Sequence, residues 1–243
     1  MSILAFDAGN SRIKWGFADS KGWLRRAWLD TTDVSRIGDA LKDMPLPARI
    51  VISNVAGERV RAAIAQAIAR YAVAPQWVQG QAQQCGVRSG YADPAQLGSD
   101  RWAGLIAAWH LYGRASVVVN AGTTMTVDAL STEGVFLGGV IVPGLELMRT
   151  ALSSGTAQLK LQRGAFQYFP DNTADAIMSG AVNALAGAIE KMCGYMADIG
   201  QGTPLVVLSG GVASLIQPRL SIHVELVDNL VLEGLLEIAK VNS

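Results

Sequence analysis

The stretch LAFDAGNSRI, residues 4–13, is matched in pattern by VVNAGTTMTV, residues 118–127. In each copy an apolar, strand-forming run leads to Asp or Asn, then to Ala-Gly and two small polar residues, and a second such run follows. The copies are centred on Asp7 and Asn120. Each copy is expected to form two antiparallel strands joined by a tight turn, so the pattern indicates that the chain contains two related halves.

The order of predicted elements repeats as well. In the first half we expect strands near 2–7, 12–18 and 23–29, a helix near 33–43, a strand at 49–53, a helix at 57–72, a strand near 76–79 and, after an irregular segment, a helix from Ser99 or Asp100 to Tyr112. In the second half we expect strands near 116–120, 124–130 and 134–141, helices near 143–154 and 174–196, a buried strand ending at 208–211, a short helix near 212–216, a strand near 222–226 and a helix at 229–240. This order predicts two duplicated α/β domains, 1–114 and 115–243, each a mixed sheet flanked by helices.

Composition narrows the class of partner. The 243 residues include 20 basic and 20 acidic side chains, and half are hydrophobic. A net charge of zero lacks the electrostatic footprint of a nucleic-acid-binding protein, and no run approaches the roughly 18 apolar residues of a membrane span. The start of the chain has no basic segment followed by an apolar core, so we expect a cytoplasmic protein with small, polar ligands.

The two turns suit a phosphate group. Ala-Gly followed by small polar residues leaves backbone N–H groups accessible in a concavity that favours anions, and two such turns can bind one polyphosphate. A carboxylate beside the turn, such as Asp7, can hold a hydrated cation. The alternative is that Gly9 and Gly122 only satisfy hairpin geometry. The sequence contains neither GxxxxGK[ST] nor a GxGxxG that opens a helix, the two commonest other nucleotide cradles.

This pattern resembles the superfamily of acetate kinase, sugar kinases, Hsp70 and actin, in which paired strand-turn-strand elements bind the β- and γ-phosphates of ATP. The resemblance implies two ribonuclease H-like (actin-like ATPase) domains with the active site in the cleft between them. The segment LSGG, residues 208–211, is similar to the adenosine loop of that superfamily. Strand-Gly-Gly is also a common turn, so LSGG alone is weak evidence.

Within the superfamily the chain resembles the type III pantothenate kinases. The resemblance rests on these segments: GYADPAQLGSDRWAGLIAA (90–108), DAGNSRIKWG (7–16), NAGTTMTVD (120–128), GGVIVPGL (138–145), NTADAIMSG (172–180) and LSGG. It implies transfer of the ATP γ-phosphate to the primary hydroxyl of pantothenate, the first step of coenzyme A biosynthesis. Asp100 is the expected general base, since it starts a predicted helix in a Gly-rich bend and neither histidine is well placed to compete. The alternative for Asp100 is a helix cap or a surface pair with Arg101.

The same resemblance implies the other site residues. Arg101 is expected to bind the pantothenate carboxylate or the charge of the transferred phosphate, with Tyr91, Gly98 and Ser99 completing the pocket. Asp7 is expected to orient Mg²⁺ through water. The implied ATP-binding residues are Asp7, Ala8, Gly9, Asn10, Ser11, Arg12, Ile13, Lys14, Thr123, Thr124, Gly210 and Gly211, and Asp128 is expected to face the site.

One position departs from the family. Many members carry Asp where this chain has Asn120, and that carboxylate is linked to a monovalent cation, K⁺ or NH₄⁺. Asn keeps a carbonyl ligand but loses the charge, so the chain is expected to depend less on the cation.

A helix after Asn172 and Thr173 carries Ile177, Ala181, Ala184, Leu185, Ala188 and Met192 at helical spacing. This apolar stripe fits either its own sheet or a second copy, and the resemblance implies a homodimer in which Thr173 reaches the neighbour's pantothenate. Three rival interpretations remain: a nucleotide-binding regulatory protein without turnover, an actin-like filament protein, and an acetate or small-sugar kinase.

Overall fold

The structure is a computed structural model, which describes residues 1–155 and 163–241. The chain divides into two compact units, one made of Met1–Tyr112 with Asn229–Ser243 and the other of Gly113–Asp228. The division into domains 1–114 and 115–243 stays a prediction. By its contacts, however, the last helix is grouped with the first unit, because it packs on the first sheet and on the helix that starts at Ser99.

The first unit is built on a five-stranded mixed sheet. Its strands are β1 (Ile3–Ala8), β2 (Arg12–Asp19), β3 (Gly22–Asp30), β4 (Arg49–Asn54) and β5 (Pro75–Trp77), in the order β3-β2-β1-β4-β5. The first three strands are antiparallel, whereas β4 and β5 run parallel to β1, so the carboxyl ends of β1, β4 and β5 lie along one edge. A short hairpin of β6 (Gln83–Gln84) and β7 (Val87–Ser89) stands in the segment predicted to be irregular.

Helices cover both faces of this sheet. They are α1 (Ile37–Ala40), α2 (Glu58–Ile68), α3 (Ser99–Tyr112) and, from the end of the chain, α7 (Leu230–Val241). In place of the helix predicted near 33–43, Thr31–Arg36 is a 3₁₀ segment whose backbone leaves the helical region at Asp33, and the four residues of α1 are α-helical. On one face α2 buries Val60, Ile64 and Ile68 against Phe6.

On the other face α7 contacts β1 and β4 and packs closely on α3. Gly234 permits that approach, since a Cβ there would lie 1.8 Å from the carbonyl oxygen of Ala103. Close packing of α7 therefore helps to hold α3 beside β4.

The second unit has the same plan. Its strands are β8 (Ser116–Ala121), β9 (Thr124–Leu130), β10 (Val135–Pro143), β11 (Leu205–Ser209) and β12 (Val224–Leu226), and within the unit they follow the order β12-β11-β8-β9-β10. Its helices are α4 (Leu145–Gly155), α5 (Thr173–Asp198) and α6 (Ala213–Ile216). Two mixed sheets flanked by helices confirm the predicted fold class.

The long helix α5 does not present the predicted stripe as one surface. Ala181, Leu185 and Met192 are buried in the core of their own unit, Ala184 is exposed, and Ile177 and Ala188 are half-buried. Packing on the unit's own sheet therefore accounts for the buried part of that stripe. Within residues 1–155 and 163–241, no helix combines the length and apolar character needed to cross a bilayer.

Candidate active site

The first predicted phosphate turn connects β1 and β2. The Gly9 N–H donates to the carbonyl of Arg12 at 3.0 Å, which closes the turn and leaves Asn10 and Ser11 exposed at its tip. Two neighbouring positions point elsewhere: Ile13 is fully buried in the core, and Arg12 stacks on the ring of Trp28 at 4.2 Å. The turn can therefore offer backbone and short polar groups to an anion.

Thr31 holds this turn from the end of β3. Its Oγ1 donates to the carbonyl of Gly9 at 2.7 Å and its N–H donates to the carbonyl of Ser11 at 3.0 Å. The side chain is 7% exposed. Sequence analysis missed Thr31, because nothing in the residues around it indicates a contact with the turn between β1 and β2.

Asp7 lies one residue before the end of β1, beside Ala8, which is fully buried. Its cross-strand neighbours are Lys14 on β2 and Ser53 on β4. Burial raises the pKa of Asp7 to about 7, Lys14 lowers that pKa, and the charge of Asp100 raises it further. The charges of Asp7 and Asp100, which lie on different secondary-structure elements, therefore interact.

Asp100 is the second residue of α3. Burial raises the pKa of Asp100, while the Arg101 N–H, which donates to Oδ1 at 2.8 Å, and the Arg101 guanidinium lower it. Asp100 also lies in the first turn, where the helix dipole stabilises negative charge. The helix start therefore combines a cap-like hydrogen bond with a carboxylate whose charge interacts with that of Asp7.

The remaining residues of the 90–108 motif gather around this helix start. Arg101 is 8% exposed, and its guanidinium donates to the hydroxyl of Tyr91 at 3.3 Å. Trp102 is fully buried and its Nε1 donates to Gln84 at 2.8 Å, which ties α3 to the β6–β7 hairpin. The structure thus brings Tyr91, Arg101 and Asp100 together, and Gln84 is a supporting residue that sequence analysis did not identify.

A cavity of about 270 Å³ opens at the carboxyl ends of β4 and β5, next to Gly98 and Ser99. Its other lining residues are Asn54, Val55, Arg61, Trp77, Val78, Gln79, Ala95, Gln96 and Leu97. The carboxyl edge of parallel strands is where ligands bind in open α/β sheets. The predicted substrate motif therefore adjoins a cavity of small-molecule size.

The second predicted phosphate turn lies in the other unit, between β8 and β9. The Gly122 N–H donates to the carbonyl of Thr124 at 3.0 Å, and the carbonyl of Thr123 accepts from the N–H of Gly144 at 3.0 Å. Both threonines are exposed. This turn is closed like the first one and presents two hydroxyl side chains.

The LSGG segment ends β11 beside that turn. Gly210 has φ +108°, and a Cβ there would lie 2.3 Å from the carbonyl oxygen of Ala121, whereas Gly211 is exposed with nothing within 4 Å of such a Cβ. Asn120 is half-buried near the end of β8, opposite Thr126 and Ser209. The structure therefore gathers Asn120, Gly210 and the second turn at one edge of the sheet.

Two further predicted residues lie elsewhere in this unit. Asp128 is 2% exposed on β9. Thr173 is exposed as the first residue of α5, and Asn172 caps that helix through its side-chain oxygen, which accepts from the Asp175 N–H at 3.0 Å.

The side chains that could ligate a metal ion decide which mode of metal binding the site can support. In the described ranges, no three or more His, Cys, Asp or Glu side chains form a group able to hold a metal ion. Mg²⁺ in kinases is bound by one or two carboxylates together with waters and substrate phosphates. Asp7 and Asp100, whose charges interact, fit that mode of binding but do not form an all-protein cage.

Comparison with known proteins finds similar proteins that match most of the chain. A family model described as Type III pantothenate kinase matches residues 3–194. A type III pantothenate kinase of Nitrosospira multiformis is 47% identical over 241 residues, covering 99% of this chain and 92% of the relative. That of Aromatoleum aromaticum is 48% identical over 238 residues, covering 98% of each. The solved structure of a glucokinase from an Antarctic psychrotroph shares the fold, with a TM-score of 0.54 at 12% identity over 100% of this chain and 99% of that chain.

Proposed function

The chain belongs to the type III pantothenate kinase family, and from this premise we propose which of its residues carry out the reaction. The enzyme transfers the ATP γ-phosphate to the primary hydroxyl of pantothenate and gives 4′-phosphopantothenate, the first step of coenzyme A biosynthesis. The observation that supports the assignment of residues best is the helix start at Asp100, where a carboxylate whose charge interacts with that of Asp7 adjoins the Arg101–Tyr91 pair.

Asp100 accepts the proton of the pantothenate hydroxyl in this proposal. Phosphoryl transfer depends mostly on alignment and charge neutralisation, with a carboxylate to accept the nucleophile's proton. Burial raises the pKa of Asp100 and so makes it a better proton acceptor once it is ionised.

Arg101 binds the acceptor. Arg101 is a buried residue whose guanidinium donates to the Tyr91 hydroxyl, and a fixed planar fork suits a carboxylate. Gly98 and Ser99 line the adjoining cavity and complete the pantothenate site.

Both phosphate turns bind ATP. Gly9, Asn10 and Ser11 in the first turn and Thr123 and Thr124 in the second donate to phosphate oxygens, and Lys14, which lies opposite Asp7, neutralises charge. Gly210 and Gly211 offer backbone to the adenosine. Because ATP is a cytoplasmic metabolite, we place the reaction in the cytoplasm.

Asp7 orients Mg²⁺ through water. Bound Mg²⁺ neutralises the charge that develops on the phosphates. Asn120 offers a neutral oxygen to a monovalent cation, K⁺ or NH₄⁺, and lacks the charge that would attract the cation strongly.

Substrate identity is tested with purified protein, ATP and Mg²⁺. ADP release is measured with pantothenate, acetate and a set of hexoses, each with and without K⁺. Of these acceptors, only pantothenate is expected to raise the rate of ADP release above background. Turnover with acetate or a hexose would favour the small-molecule kinase alternative, and the absence of turnover with all acceptors would favour a regulatory protein.

A homodimer with a shared site is the second part of the proposal. Thr173 is exposed at the start of α5 and would reach the pantothenate bound at Asp100 of a second copy. The outer surface of α5 carries the small residues Gly180, Ala184 and Gly187, which permit close helix approach.

Mixing two inactive variants tests this sharing. Asp100→Asn and Thr173→Trp are each expected to be inactive, whereas a mixed dimer contains one site with both residues intact. The mixture is therefore expected to recover activity. A fully active monomer by light scattering at assay concentration would rule the shared site out.

A further inference from the structure

Two buried serines connect the start of α3 to the central sheet of the first unit. Ser53, at the carboxyl end of β4, is fully buried, and Ser99, the first residue of α3, is 7% exposed. Their Oγ atoms lie 2.8 Å apart, the ordinary distance of a hydrogen bond between hydroxyl groups.

Each serine stands next to a carboxylate of the site. Ser53 is the cross-strand neighbour of Asp7 in the parallel pairing of β1 and β4, and Ser99 immediately precedes Asp100. The hydroxyl pair therefore fixes the helix start that carries Asp100 to the sheet edge that carries Asp7.

Apolar packing alone does not fix the position of the start of α3 relative to the sheet. The buried residues that follow on α3 include Ala103, Leu105, Ile106 and Ala107, and burial of apolar surface has no directional preference. A hydrogen bond between two short side chains restricts both distance and angle. The Ser53–Ser99 pair is the contact of this kind at the first residue of the helix.

We propose that Ser53 is a positioning residue for phosphoryl transfer, which acts through Ser99 to hold the Asp100 carboxylate where the acceptor hydroxyl is deprotonated. The inference rests on the proposed role of Asp100. Ser53 has no exposed surface and so does not touch substrate; its effect on the rate is indirect.

The test uses Ser53→Ala, Ser99→Ala and the double variant, with Ser116→Ala as matched control. Ser116 is likewise a fully buried strand serine, in the other unit, whose Oγ donates to the carbonyl of Arg114 at 3.0 Å. For each protein, kcat, the KM for ATP and the melting temperature are measured.

A misplacement of about 1 Å can cost up to about 10²-fold in rate, so Ser53→Ala is expected to lower kcat about 10-fold and to leave the KM for ATP within about 2-fold. Each single variant buries one hydroxyl without its partner and loses stability, whereas removing both partners is close to neutral. The double variant is therefore expected to recover melting temperature but not kcat.

A double variant that recovers melting temperature but not kcat distinguishes a positioning role of Ser53 from a general effect on stability. If kcat recovers with the melting temperature in the double variant, or if Ser53→Ala keeps the wild-type kcat, the positioning role is wrong. Asp100→Asn with and without Ser53→Ala separates the two claims: a nearly wild-type Asp100→Asn refutes the base assignment itself. If Asp100→Asn is slowed about 10²-fold, adding Ser53→Ala is expected to cause no further loss of kcat. A further 10-fold loss on that background would show that Ser53 does not act through Asp100.

Discussion

Substituting the two glycines of LSGG separately tests how the predicted adenosine loop is built. Gly210 has a positive φ of +108°, and an added Cβ would lie 2.3 Å from the oxygen and 2.5 Å from the carbon of the Ala121 carbonyl group. At Gly211 an added Cβ meets nothing within 4 Å. Gly211→Ala is therefore a matched control for Gly210→Ala in the same loop.

The magnitude follows from two costs. A non-glycine residue in a sparsely populated backbone region costs about 1–3 kcal/mol, and an overpacked contact costs about 1–3 kcal/mol. The Ala121 backbone is paired within the sheet and cannot move aside cheaply, so both costs apply. We expect Gly210→Ala to lose about 3 kcal/mol, which lowers the melting temperature by about 6–12 °C in a chain of this size.

The assay is thermal unfolding followed by circular dichroism, with the KM for ATP measured in parallel. Gly210→Ala is expected to melt lower and to bind ATP more weakly. Gly211→Ala is expected to keep its melting temperature and to raise only the KM for ATP, since its role is contact with adenosine. Equal melting temperatures of the two variants would refute the close approach of the loop to the second turn.

Four further outcomes are expected. Asp100→Asn should lower kcat by about 10²-fold or more and still bind nucleotide by calorimetry, and a near wild-type kcat would move the base elsewhere. Because burial raises the pKa of Asp7 to about 7, the folded protein retains a proton that the unfolded chain releases near pH 4. The free energy of unfolding of the nucleotide-free protein should therefore fall as pH rises from about 4 to about 7, by urea denaturation, and Asp7→Asn should flatten that profile. Asn120→Asp should sharpen the dependence of kcat on K⁺, and a wild type that is inert without K⁺ and saturates at low concentration would contradict the argument from charge. Thr31→Val should lose about 1 kcal/mol of stability and raise the KM for ATP but not for pantothenate, because it removes the hydrogen bond to Gly9; an unchanged KM for ATP would contradict that role.

Local patterns in the sequence were sufficient to predict most of the fold. Strand alternation and Gly-rich turns predict the β1–β2 and β8–β9 hairpins to within a residue or two, and the pattern places the start of α3 at Ser99 or Asp100, which agrees with its observed start at Ser99. Both signals depend on neighbouring residues, which is why they can be read from the sequence alone.

Features that depend on distant contacts were not predicted. Thr31 and Ser53 act on residues far away in the chain, and nothing in their local sequence indicates a partner. The buried side of α5 is predicted only in part: Ala181, Leu185 and Met192 of the stripe are buried, whereas the core also includes Val182, Ala186 and Ile189, which the stripe leaves out. Periodicity gives an apolar face, whereas the neighbouring sheet decides which residues of that face are covered.

The measurement that tests the central claim most directly is identification of the product. Wild type and Asp100→Asn are incubated with ATP labelled at the γ-phosphate, Mg²⁺ and pantothenate, and the products are separated and identified by mass spectrometry. We predict that wild type transfers the label to pantothenate as a phosphate monoester at the primary hydroxyl and that Asp100→Asn does so at least about 10²-fold more slowly. Label released only as inorganic phosphate, or equal transfer by both proteins, would contradict the account.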